Sequence, residues 1–197
     1  RNERNANSGL VVSIELADLT PYGEGPGDPL AGVAFQRHWE GLAYAAGGSS
    51  YMAPAQLVGD FLAGRPSRCA QGVQPSYQPG VRYGDLDSCL PPFVLEAIRE
   101  ALPIFARRIP GYAMEGALLT GVETRTSSPV RLPRDQTTLE CTNTPGLFPA
   151  GEGAGYAGGI LSAAIDGIKV AEQVALSITH PHLQRQGAQG ESACDPI

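Results

Sequence analysis

Five glycines within nine positions, Gly151, Gly153, Gly155, Gly158 and Gly159, followed at once by a helical pattern, constrain this chain more than any other feature. From Gly146 to Val174 the sequence reads as a short strand, a glycine-rich turn and a helix. The glycines allow positive φ angles and let a ligand approach the backbone without meeting a Cβ. The helix start behind them presents bare N–H groups and the positive end of a helix dipole, which suit an anionic or polyhydroxyl ligand. Gly159, Ala163, Gly167 and Ala171 recur every fourth residue as a row of small side chains, beside an apolar row of Ile160, Ala164, Ile168 and Ala175. Such a helix can lie very close to another backbone or to a flat ring. The plain alternative is a helix packed on a sheet behind a structural glycine turn.

Residues Gly153 to Gly158 satisfy G-x-G-x-x-G literally. That fingerprint requires a second strand after the helix, with an acidic residue roughly 20 positions on. Here the pattern runs instead into His180-Pro181-His182 and a polar tail over 181–197. The turn therefore reads as the closing element of a site whose opening element lies elsewhere.

At 197 residues the chain can bury a core, and its net charge of −6 with 42% hydrophobic residues describes a soluble globular protein. No apolar run approaches the roughly 20 residues that span a bilayer, so no membrane is expected. The basic residues are scattered arginines rather than a stripe, so no nucleic-acid partner is expected either. Cys69, Cys89, Cys141 and Cys194 form no C-x-x-C pair, which makes free thiols and a cytoplasmic location the default, with a Cys69–Cys89 bridge left open.

Leu10 to Leu16 reads as a strand, and Leu30 to Ala46 as a helix with Asp28 as its cap and Gly47-Gly48 as its stop. A shorter helix follows Pro54 and ends at Gly64. Arg65 to Pro92, rich in proline and glycine, reads as loop with short extended pieces. Pro92 to Arg108 is a second long helix with Val94, Leu95, Ile98, Leu102 and Phe105 on one side and a kink expected at Pro103. Ala117 to Glu123 and Val130 to Leu132 read as strands. The expected fold class is α+β: a helical insert on a small mixed sheet, followed by a strand, glycine loop and helix.

Thr124 to Arg131 gathers hydroxyls and two guanidinium groups after a strand, so Arg125, Thr126, Ser127 and Arg131 are candidates for a substrate carboxylate or a cofactor phosphate. A solvated polar turn is the even alternative. Cys141 reads as a buried, inert thiol. His180 and His182 lack a third ligand, so no metal is expected. Asp60, Asp85, Asp87 and Asp166 form no paired-carboxylate arrangement that would support acid/base hydrolysis. No residue stands out as a general base, and the catalytic residues are unknown.

The segment FPAGEGAGYAGGILSAAIDGIKVAE resembles the C-terminal FAD-contacting segment of the FAD-dependent dehydrogenases within the NAD(P)/FAD-dependent oxidoreductase group. TGVETRTSSPVR is similar to the same family and comparably specific. NSGLVVSI, DPLAGVAFQRHWE, YMAPAQLVGDFLAGRP, ALPIF and IPGY extend the likeness over nearly the whole chain.

The resemblance implies FAD as cofactor, NAD(P)H as a candidate electron donor, a small-molecule substrate and hydride transfer through the flavin. It implies residues 1–136 as a substrate-side cap, 137–180 as the FAD-contacting segment and 181–197 as a tail. By position Glu152 would accept a hydrogen bond from a ribityl hydroxyl, although related flavoproteins carry aspartate there. The amides around Gly158, Gly159 and Ile160 would face the flavin's pyrimidine edge, with Gly151, Gly153 and Gly155 shaping the turn. The chain would then be a fragment, its partner a missing N-terminal FAD-binding half of the same protein, and its exposed apolar surface would favour a homo-oligomer. Two readings compete: a non-catalytic binding or interaction domain, and another nucleotide-binding enzyme that uses the turn for a phosphate.

Overall fold

The computed structural model describes residues 4–180; the polar tail, with His182 and Cys194, lies outside them. The chain divides into two compact units, one running to Thr124 and the other starting at Arg125.

The first unit is built on three strands, β1 (Ala53–Leu57), β2 (Val81–Tyr83) and β3 (Leu118–Thr120), in the order β2-β1-β3. β2 runs parallel to β1, with Ala53 opposite Val81, and β3 runs antiparallel, with Ala55 opposite Thr120. The mixed sheet and the helices around it are the α+β architecture expected. The helices of this unit are α1 (Leu16–Leu19), α2 (Ala31–Ala46), α3 (Val58–Leu62) and α4 (Pro92–Arg108).

α2 and α4 match their sequence patterns closely. The cap residue of α2 is Leu30 rather than Asp28, but Asp28 organises the entry, accepting from the Leu30 amide at 2.8 Å and the Glu24 amide at 3.0 Å. These two amides hold its carboxyl below the usual range. Gly48, at φ +87°, ends the helix in a conformation that glycine tolerates best. α4 carries Pro92 in its first turn, where the missing N–H costs nothing, and runs through Pro103 to Arg108 without interruption. Its buried Val94, Leu95 and Leu102 face inward as the spacing predicts. With Phe61, Val58, Leu86, Cys89 and Ala43, Leu95 and Leu102 make one apolar core.

Two elements of this unit differ from expectation. The stretch after Pro54 is not one helix: residues 53–57 pair on both edges as the central strand, and only 58–62 turn helical. Pairing on both sides outweighs local propensity here. The buried polar side chain in that strand is also accounted for. Gln56 donates through Nε2 to the Arg65 carbonyl (2.8 Å) and accepts the Leu86 amide (3.0 Å). Of Leu10 to Leu16, expected as a strand, residues 10–15 are irregular and Leu16 already opens α1; apolar composition does not make a strand without a neighbour to pair with.

Among the described residues the second unit holds one long helix, α5 (Ile160–Thr179), behind a largely irregular chain. Val130 to Leu132 and the residues just before Gly151 form no strand among the described residues. Pro129 and Pro133 bracket the first of these stretches, and Pro145 and Pro149 flank the second, each removing a ladder donor. A single bridge joins Arg134 to Cys141.

Candidate functional site

The glycine turn is folded by its own backbone. The Gly155 amide donates to the Glu152 carbonyl (2.9 Å) and the Tyr156 amide to that of Gly151 (3.0 Å). Gly151 and Gly155 take the positive φ angles expected, +69° and +83°. Gly155 is doubly constrained, because a Cβ there would lie 2.9 Å from the Val130 carbonyl oxygen and 3.1 Å from Arg131 Cα. The adjoining strand-like segment is tied to the turn by the Leu132 amide, which donates to Ala154 (3.2 Å).

Gly153 and Gly158 serve a different purpose: a Cβ at either would meet nothing within 4 Å, and at Gly159 it would meet only Ser162 Oγ at 3.8 Å. The surface over these three positions is open. Among the described residues the amides of Gly153, Gly158, Gly159 and Ile160 take no acceptor, whereas the Gly151 amide is taken by Asp166 Oδ2 at 2.7 Å. Glu152 is exposed beside them. The donors at the start of α5 thus remain available to a ligand, while Gly151 contributes shape rather than a contact.

Beneath the turn lies a cluster that residue spacing did not reveal. Arg134 grips Asp166 with both terminal nitrogens, Nη2 at 2.6 Å and Nη1 at 3.0 Å, and Nη1 also donates to the Pro149 carbonyl (2.6 Å). Both side chains are nearly buried, with exposures of 8% and 12%. The guanidinium lies 3.7 Å from the Tyr156 ring centre. The Tyr156 hydroxyl donates to the Leu132 carbonyl (3.0 Å) and accepts the Arg134 amide (3.2 Å). Hydrogen bonding from Arg134 holds the Asp166 carboxyl below the usual range against the opposing effect of burial, and the Gly151 amide adds to it. The ion pair therefore fixes the start of the turn, at Pro149 and Gly151, to α5. Arg134 stands 32 residues from Asp166, so no local pattern could have paired them.

The four candidates of the 125–131 stretch separate. Arg125 and Ser127 are already engaged by the protein, and Thr126 is exposed. Arg131 is exposed and lies 4.3 Å above the Tyr156 ring. Cys141 is buried, as expected, and its thiol donates to Asn143 Oδ1 at 3.1 Å. Cys69, Cys89 and Cys141 are free, so the Cys69–Cys89 bridge does not form. Burial, with a smaller push from Asp85, raises the Cys89 thiol to about 11, which keeps it protonated. No group of three His, Cys, Asp or Glu among the described residues is arranged to hold a metal, and no helix among them is long and apolar enough to cross a membrane.

The first unit has a cavity of about 220 Å³ lined in part by Ala45, Pro54, Arg82, Tyr83 and Ser88. The Tyr83 hydroxyl is buried without a hydrogen-bond partner among the described residues, and burial raises its pKa. Since an unsatisfied hydroxyl costs folding energy, Tyr83→Phe is expected to leave stability unchanged or raise it by up to about 1 kcal/mol. Chemical denaturation checks this, and a loss of more than about 1 kcal/mol would mean that the hydroxyl has a partner in solution.

Residues 1–126 match the family described as FAD-dependent protein, C-terminal domain-like. An uncharacterized protein of Clostridium beijerinckii (strain ATCC 51743 / NCIMB 8052) is 52% identical over 174 residues. That alignment covers 88% of this chain, long enough to run past residue 126 into the second unit, and 32% of the relative's length.

Proposed function

Because the chain belongs to the FAD-dependent protein, C-terminal domain-like family, we propose that it forms part of a flavin-dependent oxidoreductase, and that its glycine turn and α5 complete the FAD site. The observation that carries this reading is the row of unoccupied amides at Gly158, Gly159 and Ile160 opening α5, beside an exposed Glu152 and with no Cβ in the way at Gly153 or Gly158. These groups fit the cofactor: the helix start favours negative charge at the flavin's pyrimidine edge, and Glu152 offers an acceptor to a ribityl hydroxyl. Bound FAD would supply hydride transfer to or from a small-molecule substrate, with NAD(P)H as candidate electron donor. The chain itself would bind and orient it, with residues 1–136 on the substrate side and 137–180 on the cofactor side.

α5 supports a partner for this segment. Ile160, Leu161, Ile165 and Ile168 are 90%, 78%, 55% and 63% exposed, an apolar face that the described residues leave uncovered. The relative is about three times the length of the aligned stretch. We assign the cover to the FAD-binding half of the same polypeptide.

Glu152→Ala in the full-length protein is expected to weaken FAD retention about tenfold, the loss of one charge-assisted hydrogen bond. Flavin released after dialysis measures it. Unchanged retention would remove Glu152 from the site.

A further inference from the structure

Tyr156 carries two guanidinium groups over its ring, Arg134 at 3.7 Å and Arg131 at 4.3 Å. Their situations differ. Arg134 is buried and spends its donors on Asp166 and Pro149. Arg131 is exposed, and among the described residues its guanidinium rests on the Tyr156 ring and meets no carboxylate or carbonyl. A guanidinium that packs on an aromatic ring keeps its N–H fork free at the edge while losing much of its rotational freedom.

The platform beneath it is rigid. Tyr156 is held at its hydroxyl by the Leu132 carbonyl and the Arg134 amide, and its own amide closes the glycine turn on Gly151. The Arg131 backbone sits against Gly155, where even a methyl group would approach its Cα to 3.1 Å. Ser128 next to it is fixed to the same turn, its hydroxyl shared between the Val130 carbonyl (2.7 Å) and that of Gly153 (3.1 Å). Two arginines thus share one ring, and the single carboxylate in the cluster, Asp166, is paired with Arg134. Arg131 therefore brings to the turn, whose own carboxylate Glu152 is exposed, a guanidinium that no carboxylate pairs among the described residues.

We infer that Arg131, held on the Tyr156 ring at the edge of the glycine turn, is a binding residue for an oxyanion, either the pyrophosphate of the cofactor or the carboxylate of the substrate. This rests on the reading of the turn as a cofactor site, and it narrows the polar stretch 125–131 to one residue. A planar fork with its orientation already set gives bidentate hydrogen bonds to two oxygens of such a group at little further entropic cost.

The test is calorimetric titration of the full-length protein, stripped of flavin for inorganic pyrophosphate and as purified for benzoate, comparing wild type, Arg131→Met and Arg131→Lys, with FAD content measured on each preparation before stripping. Because Arg131 is exposed, both variants are expected to fold, which the thermal midpoint verifies. Arg131→Met should lower affinity for one of the two probes at least tenfold, and lysine, which carries the charge without the planar fork, should restore only part of it. Loss for pyrophosphate with reduced FAD content identifies the cofactor's phosphates as the ligand. Loss for benzoate at unchanged FAD content identifies a substrate carboxylate. Equal affinities in wild type and Arg131→Met, or no binding of either probe by wild type, overturn the inference. Absence of FAD from all three proteins counts against the flavin reading, whereas the titrations still decide whether Arg131 binds an oxyanion.

Discussion

Replacing Gly155 by valine is expected to lower stability by about 3 kcal/mol and to leave the full-length protein without retained FAD. Two costs combine at this position. A β-branched residue at φ +83° is strained by about 1–3 kcal/mol, and its Cβ would lie 2.9 Å from the Val130 carbonyl oxygen, so backbone must shift to admit it. That shift separates the turn from the segment carrying Arg131 and misplaces the amides that follow. Gly158→Ala provides the contrast within the same turn, since its Cβ would meet nothing within 4 Å. Stability should change by less than about 1 kcal/mol there. Denaturation midpoints and flavin content measure both variants, and equal behaviour of the two would show that the glycines are interchangeable.

Arg134→Met should cost about 3 kcal/mol, because it leaves Asp166 nearly buried without its partner and releases the Pro149 carbonyl. The effect carries a pH signature. In the wild type Arg134 holds the Asp166 carboxyl below its ordinary value. The pair's stabilisation is therefore fully present above the unfolded carboxyl's pKa of about 3.9 and is lost as the pH falls through the lower folded value. Without the arginine, burial favours the protonated acid, so the deficit of the variant should be constant between about pH 6 and 8 and shrink in acid. Urea denaturation at several pH values checks this. A deficit that grows as the pH falls would contradict the assignment.

The long helices were legible because their information is local. Pro92 to Arg108 shows its apolar period and its entry proline directly, and Leu30 to Ala46 is framed by Asp28 and Gly47-Gly48. The short strands were not, because a strand of three to five residues is defined by its neighbours. Residues 53–57 became the centre of the sheet by pairing with segments near 81 and 118, and 10–16 found no such partner. The turn's glycines could be read, yet their division of labour could not: Gly151 and Gly155 shape the backbone, while Gly153 and Gly158 keep a surface open. Asp166 appeared in the sequence as one unpaired carboxylate among several, and its role emerges only when Arg134 reaches it across the turn.

The central claim is that the amides opening α5 belong to a flavin site. The most direct test is the visible absorbance spectrum of the full-length protein, purified, incubated with FAD and freed of unbound cofactor. The account predicts a yellow protein with bound flavin near one per chain, and loss of that flavin in Gly155→Val. A well-folded, colourless protein that stays colourless after exposure to FAD would contradict it.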